Sequence, residues 1–402
     1  MIANIIAVFV AVSVGIVLFL PRITANHLWR ATVIPLASII GSGFLVIAPI
    51  LQMSVGSKAL IAITVLVLAA YGIGEAIRFN ISHTEPLLLN QKLGGVARFF
   101  ETLSDPALAF AYIISVTYYL TLFGDFALRA VNIHHEYISK AITTGVLLII
   151  AWFGSHKGFA FLSKFEGLKL AVIASLIATM AYQNGLLWLH GDWGLHFDDP
   201  DIDLHAVRIV MGMLIVIQGF ETSRYLGDKY DAGLRIRSMR LAQQLSGAIY
   251  IVFIALILYY FNFPLPATGQ DTAIVNIAQH IATVLPWMLI ALALIAQFDA
   301  AVADTQGGGG LIYELTKKRL PIKAAYLIIA GLGIALVWTS NVFEIITYAS
   351  QAFAFYYALQ ALVATAVAWN SKHIKYHYLK SLFFFAMAVL AAGVAVFGLP
   401  AE

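Results

Sequence analysis

Long apolar stretches, interrupted only by short polar breaks, follow one another along the whole chain. Each has of the order of 20 residues, which is the length that a helix needs to cross the hydrocarbon core of a bilayer. The pattern predicts twelve membrane-spanning helices, near residues 2–20, 31–51, 59–77, 105–124, 139–154, 168–187, 206–223, 241–262, 281–305, 322–339, 343–369 and 380–398. No segment remains for a soluble domain, so we expect an all-α integral membrane protein.

Basic residues give these predicted helices an orientation. All but four of the 24 Lys and Arg residues fall on one side of the predicted membrane. The exceptions are Lys58, Arg129, Lys140 and Arg208. Cytoplasmic loops carry an excess of Lys and Arg, so the basic side is predicted to be cytoplasmic. Both chain termini then lie outside, and the expected location is a bacterial inner (plasma) membrane.

Composition agrees with the membrane class and excludes several others. Hydrophobic residues make up 61% of the chain and charged residues 11%, against about 25% charged in soluble domains. The net charge of +3 comes from the predicted cytoplasmic loops and indicates no nucleic-acid partner. The absence of Cys excludes disulfides and thiolate metal sites. Neither a catalytic triad nor a nucleotide-binding loop is recognisable, so we predict no enzyme activity and no use of ATP.

Two alternative interpretations concern the first apolar run and the predicted outer loops. The first apolar run could be a cleaved signal peptide, but its nearest basic residues, Arg22 and Arg30, follow the run instead of preceding it. This order favours a retained helix. Five His residues in the predicted outer loops raise the alternative of metal capture; they are His134, His135, His190, His196 and His205. Scattered loop His are usually solvated, so no metal site is predicted from them.

Two predicted spans are interrupted by glycine at corresponding places. The second contains GSG at 41–43 and the seventh contains QGF at 218–220, five spans later. Paired interruptions of this kind mark transporters built from inverted repeats, which hold the solute between broken helices. The predicted division is an extra helix at 1–29, repeats at 30–190 and 191–370, and a second extra helix at 371–402.

Four motifs then occur in a recognisable order: IIGSGF at 39–44, Glu85-Pro86, QGFE at 218–221 and LIYEL at 311–315. They resemble motifs in or beside core helices 1, 2, 6 and 8 of the amino acid, polyamine and organocation (APC) superfamily. The resemblance implies a LeuT-like five-plus-five inverted-repeat core with one extra helix at each end. It also implies secondary transport by alternating access, in which spans 2, 3, 7 and 8 rock against the other core helices.

The broken helices are the predicted substrate site. Unwound backbone frees N–H and C=O groups that can bind a ligand, and the resemblance implies the same role. The predicted substrate-binding residues are Ser38, Gly41, Ser42, Gly43, Gln218, Gly219, Phe220 and Asp299. Amides at the first break suit a carboxylate, and Asp299 would meet a cationic group. An amino acid or similar small organic solute is the expected cargo.

A second carboxylate, Asp304, is predicted to couple an ion. A charged group costs roughly 2.5–3.5 kcal/mol at bilayer depth, so this side chain needs a partner or a task. The resemblance implies a cation between core helices 8 and 1, and hard oxygen ligands suit sodium. The predicted ion-coupling residues are Ala37, Ile40, Lys169, Glu221, Asp304 and Thr305, with Asp304 and Thr305 as sodium ligands.

Lys169 leaves the coupling ion open. In some proton-coupled APC members a Lys near this point occupies the sodium position, and its ammonium would pair with Asp304. The coupling ion would then be a proton, because burial can lower the pKa of a Lys substantially. A further alternative is transport of inorganic cations along Asp299 and Asp304. The predicted partners are the small-molecule or ion substrate and the lipid bilayer, and no cofactor is predicted apart from sodium in the first alternative.

Overall fold

A computed structural model describes residues 1–40, 43–156, 166–197, 199–266 and 269–400. Within these ranges every regular element is a helix. The α-helices are α1 (Ile2–Leu18), α2 (Pro21–Thr24), α3 (His27–Ile39), α4 (Gly43–Val55), α5 (Ala59–Phe79), α6 (Glu85–Leu89), α7 (Gly95–Arg129), α8 (Glu136–His156), α9 (Glu166–His190), α10 (Leu204–Gly212), α11 (Ala232–Ile257), α12 (Ile274–Ile281), α13 (Leu285–Leu315), α14 (Ile322–Thr339), α15 (Val342–Asn370) and α16 (His377–Phe397). Short 3-10 helices span Gly56–Lys58, Leu214–Ile217, Phe220–Leu226, Leu258–Asn262 and Gln270–Thr272, and a π-helix spans Asn80–Thr84.

Nine helical runs in the described part of the chain are long and apolar enough to cross a membrane. They are His27–Leu89, Gly95–Arg129, Glu136–Ser155, Leu168–His190, Ala232–Asn262, Leu285–Leu315, Ile322–Thr339, Val342–Asn370 and His377–Phe397. The all-helical membrane class is therefore confirmed.

The count of nine differs from the twelve predicted spans for physical reasons. The run His27–Leu89 contains two predicted spans, and α1 is only 17 residues long. The seventh predicted span is divided into α10 and two 3-10 helices. The twelve-span count and the inverted repeat remain predictions.

The two predicted helix breaks meet in the fold. α3 ends before the first break and α4 begins after it, at Gly43, whose Cα lies against the backbone of Val216. In the second break Gly219 has φ +114°, a left-handed conformation that glycine adopts without strain. A Cβ at Gly219 would collide with the Ser38 side chain. Both breaks therefore depend on glycine for close approach.

A buried tyrosine on α11 bridges the two breaks. The Tyr250 hydroxyl lies 2.7 Å from the Val216 carbonyl oxygen and 3.0 Å from the Ile39 carbonyl oxygen, so its one proton is shared between two acceptors. These carbonyls belong to backbone that has left regular α-helix, where orphan acceptors need a side-chain donor.

α7 is the central helix and packs against both α13 and α15. The buried Thr117 hydroxyl bonds back to its own helix, donating to the Ile113 carbonyl at 3.0 Å. On α13, Gly309 lets the helix approach the Tyr326 ring of α14 so closely that a Cβ would collide with it. The outer helices attach to this core: α16 packs against α15, and α1 packs against α9.

Candidate functional site

One cavity of about 630 Å³ extends from one end of the bundle to residues beside both helix breaks, Ser38 before the first and Thr222 after the second. Its walls come from α3, α7, α9, α13 and the segment that follows the second break. Five predicted site residues line it: Ala37, Ser38, Lys169, Asp299 and Asp304. The cavity begins among exposed residues, including Asp228 and Glu314, and ends at buried ones. The structure thus gathers residues from distant parts of the chain around a single space.

Asp304 is buried on the face of α13 that packs against α7. The Ser115 hydroxyl of α7 donates a hydrogen bond to Asp304 Oδ2. A buried carboxylate stays favourable only with such partners. Ser115 is a site residue that sequence analysis missed, because nothing in the sequence pairs two positions 189 residues apart.

Lys169 forms its ion pair with Asp299, not with Asp304. The Lys169 Nζ lies 3.4 Å from Asp299 Oδ2, and the two side chains are only 7% and 14% exposed. The predicted pairing of Lys169 with Asp304 is therefore wrong. Asp299 and Asp304 are five residues apart, which rotates them by roughly 140° around a helix. One consequently faces α9 and the other faces α7.

Asp304, Thr305 and the end of α3 carry oxygen atoms of the kind that bind a hard cation such as sodium. Thr305 donates its hydroxyl proton to the Ala301 carbonyl at 2.7 Å, which leaves the oxygen lone pairs available. Ala37 lies in the last turn of α3, where carbonyls lack intrahelical partners. Ile40 is buried directly after that turn. Carboxylate, hydroxyl and carbonyl oxygens are the ligand set that alkali and alkaline-earth ions prefer.

Glu221 is occupied by the second break itself. Its Oε2 accepts a hydrogen bond from the Gly219 N–H at 2.9 Å and another from the Tyr357 hydroxyl at 2.7 Å. Phe220 stacks on the Tyr357 ring with centroids 5.0 Å apart. The Glu221 carboxylate thus accepts from a backbone N–H within the second break and connects this break to Tyr357 on α15.

Two buried amides, Gln218 in the second break and Gln297 within α13, have unused hydrogen-bonding atoms. Gln218 Nε2 donates to the Tyr119 hydroxyl at 3.0 Å, while Gln218 Oε1 has no partner among the described residues. Both amide atoms of Gln297 are likewise without a partner there. Gln297 lies two turns before Asp304, on the same face of α13. The sequence around Gln297 does not predict that it lies buried on the same face of α13 as Asp304.

The remaining predicted residues divide between described and undescribed parts of the chain. Gly43 starts α4 beside the second break. Gly41 and Ser42 lie outside the described residues, so their predicted backbone contacts with substrate stay predictions.

A buried polar network that sequence analysis missed lies beside the second break. Arg224 donates to Glu101 on α7 at 2.5 Å and also contacts Gln360 on α15. Arg235 donates to Glu85 Oε2 at 2.6 Å. The network fixes the 3-10 segment Phe220–Leu226 to three long helices.

Known proteins match this chain over nearly its whole length. A family model described as APC superfamily transporter matches residues 21–398. The chain belongs to the APC superfamily of transporters. As an APC superfamily member it is an integral membrane protein that acts on a small-molecule substrate. It is also similar to an uncharacterized protein of Aquifex aeolicus (strain VF5), with 41% identity over 373 residues, covering 91% of this chain and 90% of the relative.

Proposed function

We propose that this APC superfamily member is an ion-coupled secondary transporter that moves an amino acid or similar small organic solute by alternating access. The observation that carries the proposal is the cavity of about 630 Å³, which is lined by residues beside both helix breaks, by the buried Asp304 and by Asp299, whose side chain is 14% exposed. Broken helices offer free backbone groups to the solute, and buried carboxylates bind a cation. The solute would lie between Ser38 and Asp299, and the coupling ion would lie at Asp304.

The cavity geometry supports an inward-facing state. Its mouth carries Glu314, which lies beside the basic segment 317–319. By the charge rule that end is cytoplasmic, which would place both termini outside. At the other end of the breaks the ring of Phe44 packs against Phe253 at 4.2 Å between centroids. Access from that side requires these rings to separate.

Sodium and a proton would act on different carboxylates of this cavity. Sodium at Asp304 would use the oxygen ligands of α3 and α13. A proton would instead act through the Lys169–Asp299 ion pair, since protonating Asp299 or deprotonating Lys169 breaks the 3.4 Å contact. Either ion must bind the two orientations of the transporter with different affinity, because only that difference can drive solute movement.

A second candidate function is transport of an inorganic cation. The observation in its favour is that Asp299 and Asp304 both line the cavity of about 630 Å³. Two carboxylates with nearby hydroxyl oxygens would also provide a route for a metal or alkali ion.

Uptake into proteoliposomes tests these proposals. Labelled amino acids and a panel of alkali and divalent ions are offered under an imposed sodium or pH gradient. We expect amino-acid uptake that follows one gradient and is lost in Asp304→Asn, while Asp201→Asn, in an exposed loop, keeps it. Cation flux without any organic solute, lost in Asp304→Asn, would overturn the organic-solute proposal in favour of the second candidate.

A further inference from the structure

The short segment 397–399, at the end of α16, is bound to α10, the first helical part of the second broken span. The Leu399 N–H donates to the Arg208 carbonyl at 2.9 Å, and Arg208 Nε donates to the Phe397 carbonyl at 2.9 Å. Arg208 is one of the four basic residues that lie outside the predicted cytoplasmic loops. Its guanidinium lies at the carbonyl end of α16, where a positive charge is favourable.

Two glycines bring the backbones of α10 and this segment into direct contact. Gly212 is the last residue of α10, and a Cβ there would collide with the Leu399 carbonyl oxygen. A Cβ at Gly398 would lie 3.2 Å from the Gly212 Cα. The close fit of the segment 397–399 on α10 therefore depends on the absence of a side chain at both glycines.

The same segment is also bound to α15. Gln351 of α15 donates from Nε2 to the Gly398 carbonyl at 3.0 Å. α16, which leads into the segment, packs along α15. In the proposed transport cycle α10 belongs to the rocking bundle, whereas α15 belongs to the helices against which that bundle rocks. The segment 397–399 thus connects two parts of the protein that must move relative to each other.

These contacts lie on the closed side of the central cavity. From α10 the chain passes through the second break and reaches Asp228 and Lys229, which line the cavity near its mouth. α10 therefore lies on the far side of the break from the mouth. There it packs against α4, whose Phe44 ring contacts Phe253. Solute can enter from this side only if α10 moves.

We propose that the segment 397–399 is a latch that holds α10 against α15 and keeps the cavity closed on the side opposite its mouth. The inference rests on the proposed transport by alternating access, in which this side must open once per cycle. Opening separates α10 from α15, so the latch loses its hydrogen bonds either to Arg208 or to Gln351. Because these bonds exist only while α10 is held, they favour the closed side.

Thiol labelling measures this opening without knowledge of the solute. The sequence contains no Cys, so Ala300→Cys, at a residue that lines the central cavity, introduces a single thiol. A membrane-impermeant maleimide is added to the membrane face from which Asp201→Cys, in the exposed loop before α10, is labelled. The labelling rate of Ala300→Cys from that face, relative to the rate of Asp201→Cys, reports how often the α10 side opens.

Two substitutions of Leu399 form a matched pair, because proline removes the N–H that binds Arg208 whereas alanine keeps it. The preceding Gly398 has φ −57° and ψ 134°, a conformation that a following proline favours. We expect Leu399→Pro to raise the relative labelling rate about fivefold, the shift that one lost hydrogen bond typically produces, and Leu399→Ala to leave it unchanged. Gly212→Ala, which places a Cβ against the latch, should raise the rate as well and replaces Leu399→Pro if that variant does not fold.

Unchanged labelling in Leu399→Pro and Gly212→Ala would overturn the latch even if Tm falls, because a purely structural contact lowers stability without opening one side. An equal rise in Leu399→Ala would overturn it too, since the N–H would then not be responsible. The proposed function fails separately, if wild type shows no gradient-driven uptake of any solute or ion. Labelling does not depend on that result, so the two failures are distinguishable.

Discussion

Removing the negative charge of Glu101 tests how the second break is held in place. Glu101 and Arg224 are 2.5 Å apart, and their side chains are 12% and 6% exposed. Glu101→Gln preserves the size of the side chain but leaves the guanidinium of Arg224 without its nearest charge. The next carboxylate, Glu85, lies 3.9 Å from Arg224 Nε. In the variant, the buried positive charge of Arg224 is therefore only partly neutralised, by Glu85 alone.

The expected magnitude follows from this geometry. Breaking a buried ion pair costs about 3–5 kcal/mol, and the remaining contact with Glu85 places Glu101→Gln near the lower limit. At about 2 cal/mol/K of unfolding entropy per residue, 3 kcal/mol lowers Tm by roughly 4 °C for a chain of this length. Unfolding in detergent retains much helix and so has a smaller entropy change, which makes the shift larger.

Thermal unfolding of the purified protein measures this shift. The matched control is Glu314→Gln, because Glu314 also pairs with a Lys, but at 3.7 Å and with side chains 65% and 62% exposed. That pair is worth less than about 0.5 kcal/mol. Equal Tm values for Glu101→Gln and Glu314→Gln would show that the Glu101–Arg224 pair does not hold the second break in place. So would a double-mutant cycle with Arg224→Gln that shows no coupling between the two positions.

Three further predictions concern single residues. Gly219→Ala should lower Tm and abolish transport, because a residue with a Cβ at φ +114° is destabilised by about 1–2 kcal/mol even before any clash. The control Gly331→Ala, where a Cβ on α14 would meet open space, should do neither. Tyr250→Phe should cost about 1–3 kcal/mol in thermal unfolding, because two buried carbonyls lose their donor, and Tyr259→Phe serves as its control. Hydrogen bonds from Ser57 lower the pKa of Asp199 below 3.8. The ionised carboxylate therefore stabilises the folded state slightly above that pH, and this stabilisation is lost as the pH falls through the lowered pKa. The Tm difference between wild type and Asp199→Asn should accordingly be measurable at pH 7 and absent in strong acid; a difference that grows in acid contradicts the assignment.

The sequence was informative wherever one local property decides the structure. Apolar length predicted the membrane helices, because a span must satisfy its backbone internally. Glycine predicted the breaks, since only a residue without a Cβ tolerates the φ of Gly219 and its contact with Ser38. Both signals lie within a few residues of the feature that they predict.

The missed contacts depend on how helices are rotated and packed. Lys169 pairs with Asp299 because of how α13 is rotated about its axis. Hydropathy does not predict this rotation, since α13 carries carboxylates on two different faces. Glu101 and Arg224 lie 123 residues apart, and neither occurs in a motif. Pairs of this kind become visible only once the helices are packed together.

In the proposed transport cycle, Asp304 couples ion binding to solute binding. The direct measurement is the equilibrium affinity for a solute that the uptake panel identifies, titrated against sodium and against pH in wild type and Asp304→Asn. We predict that sodium raises solute affinity at least about fivefold in wild type, as coupled sites typically do, and has no effect in Asp304→Asn. Solute affinity that does not respond to sodium in wild type, or full sodium dependence in Asp304→Asn, would contradict this role of Asp304.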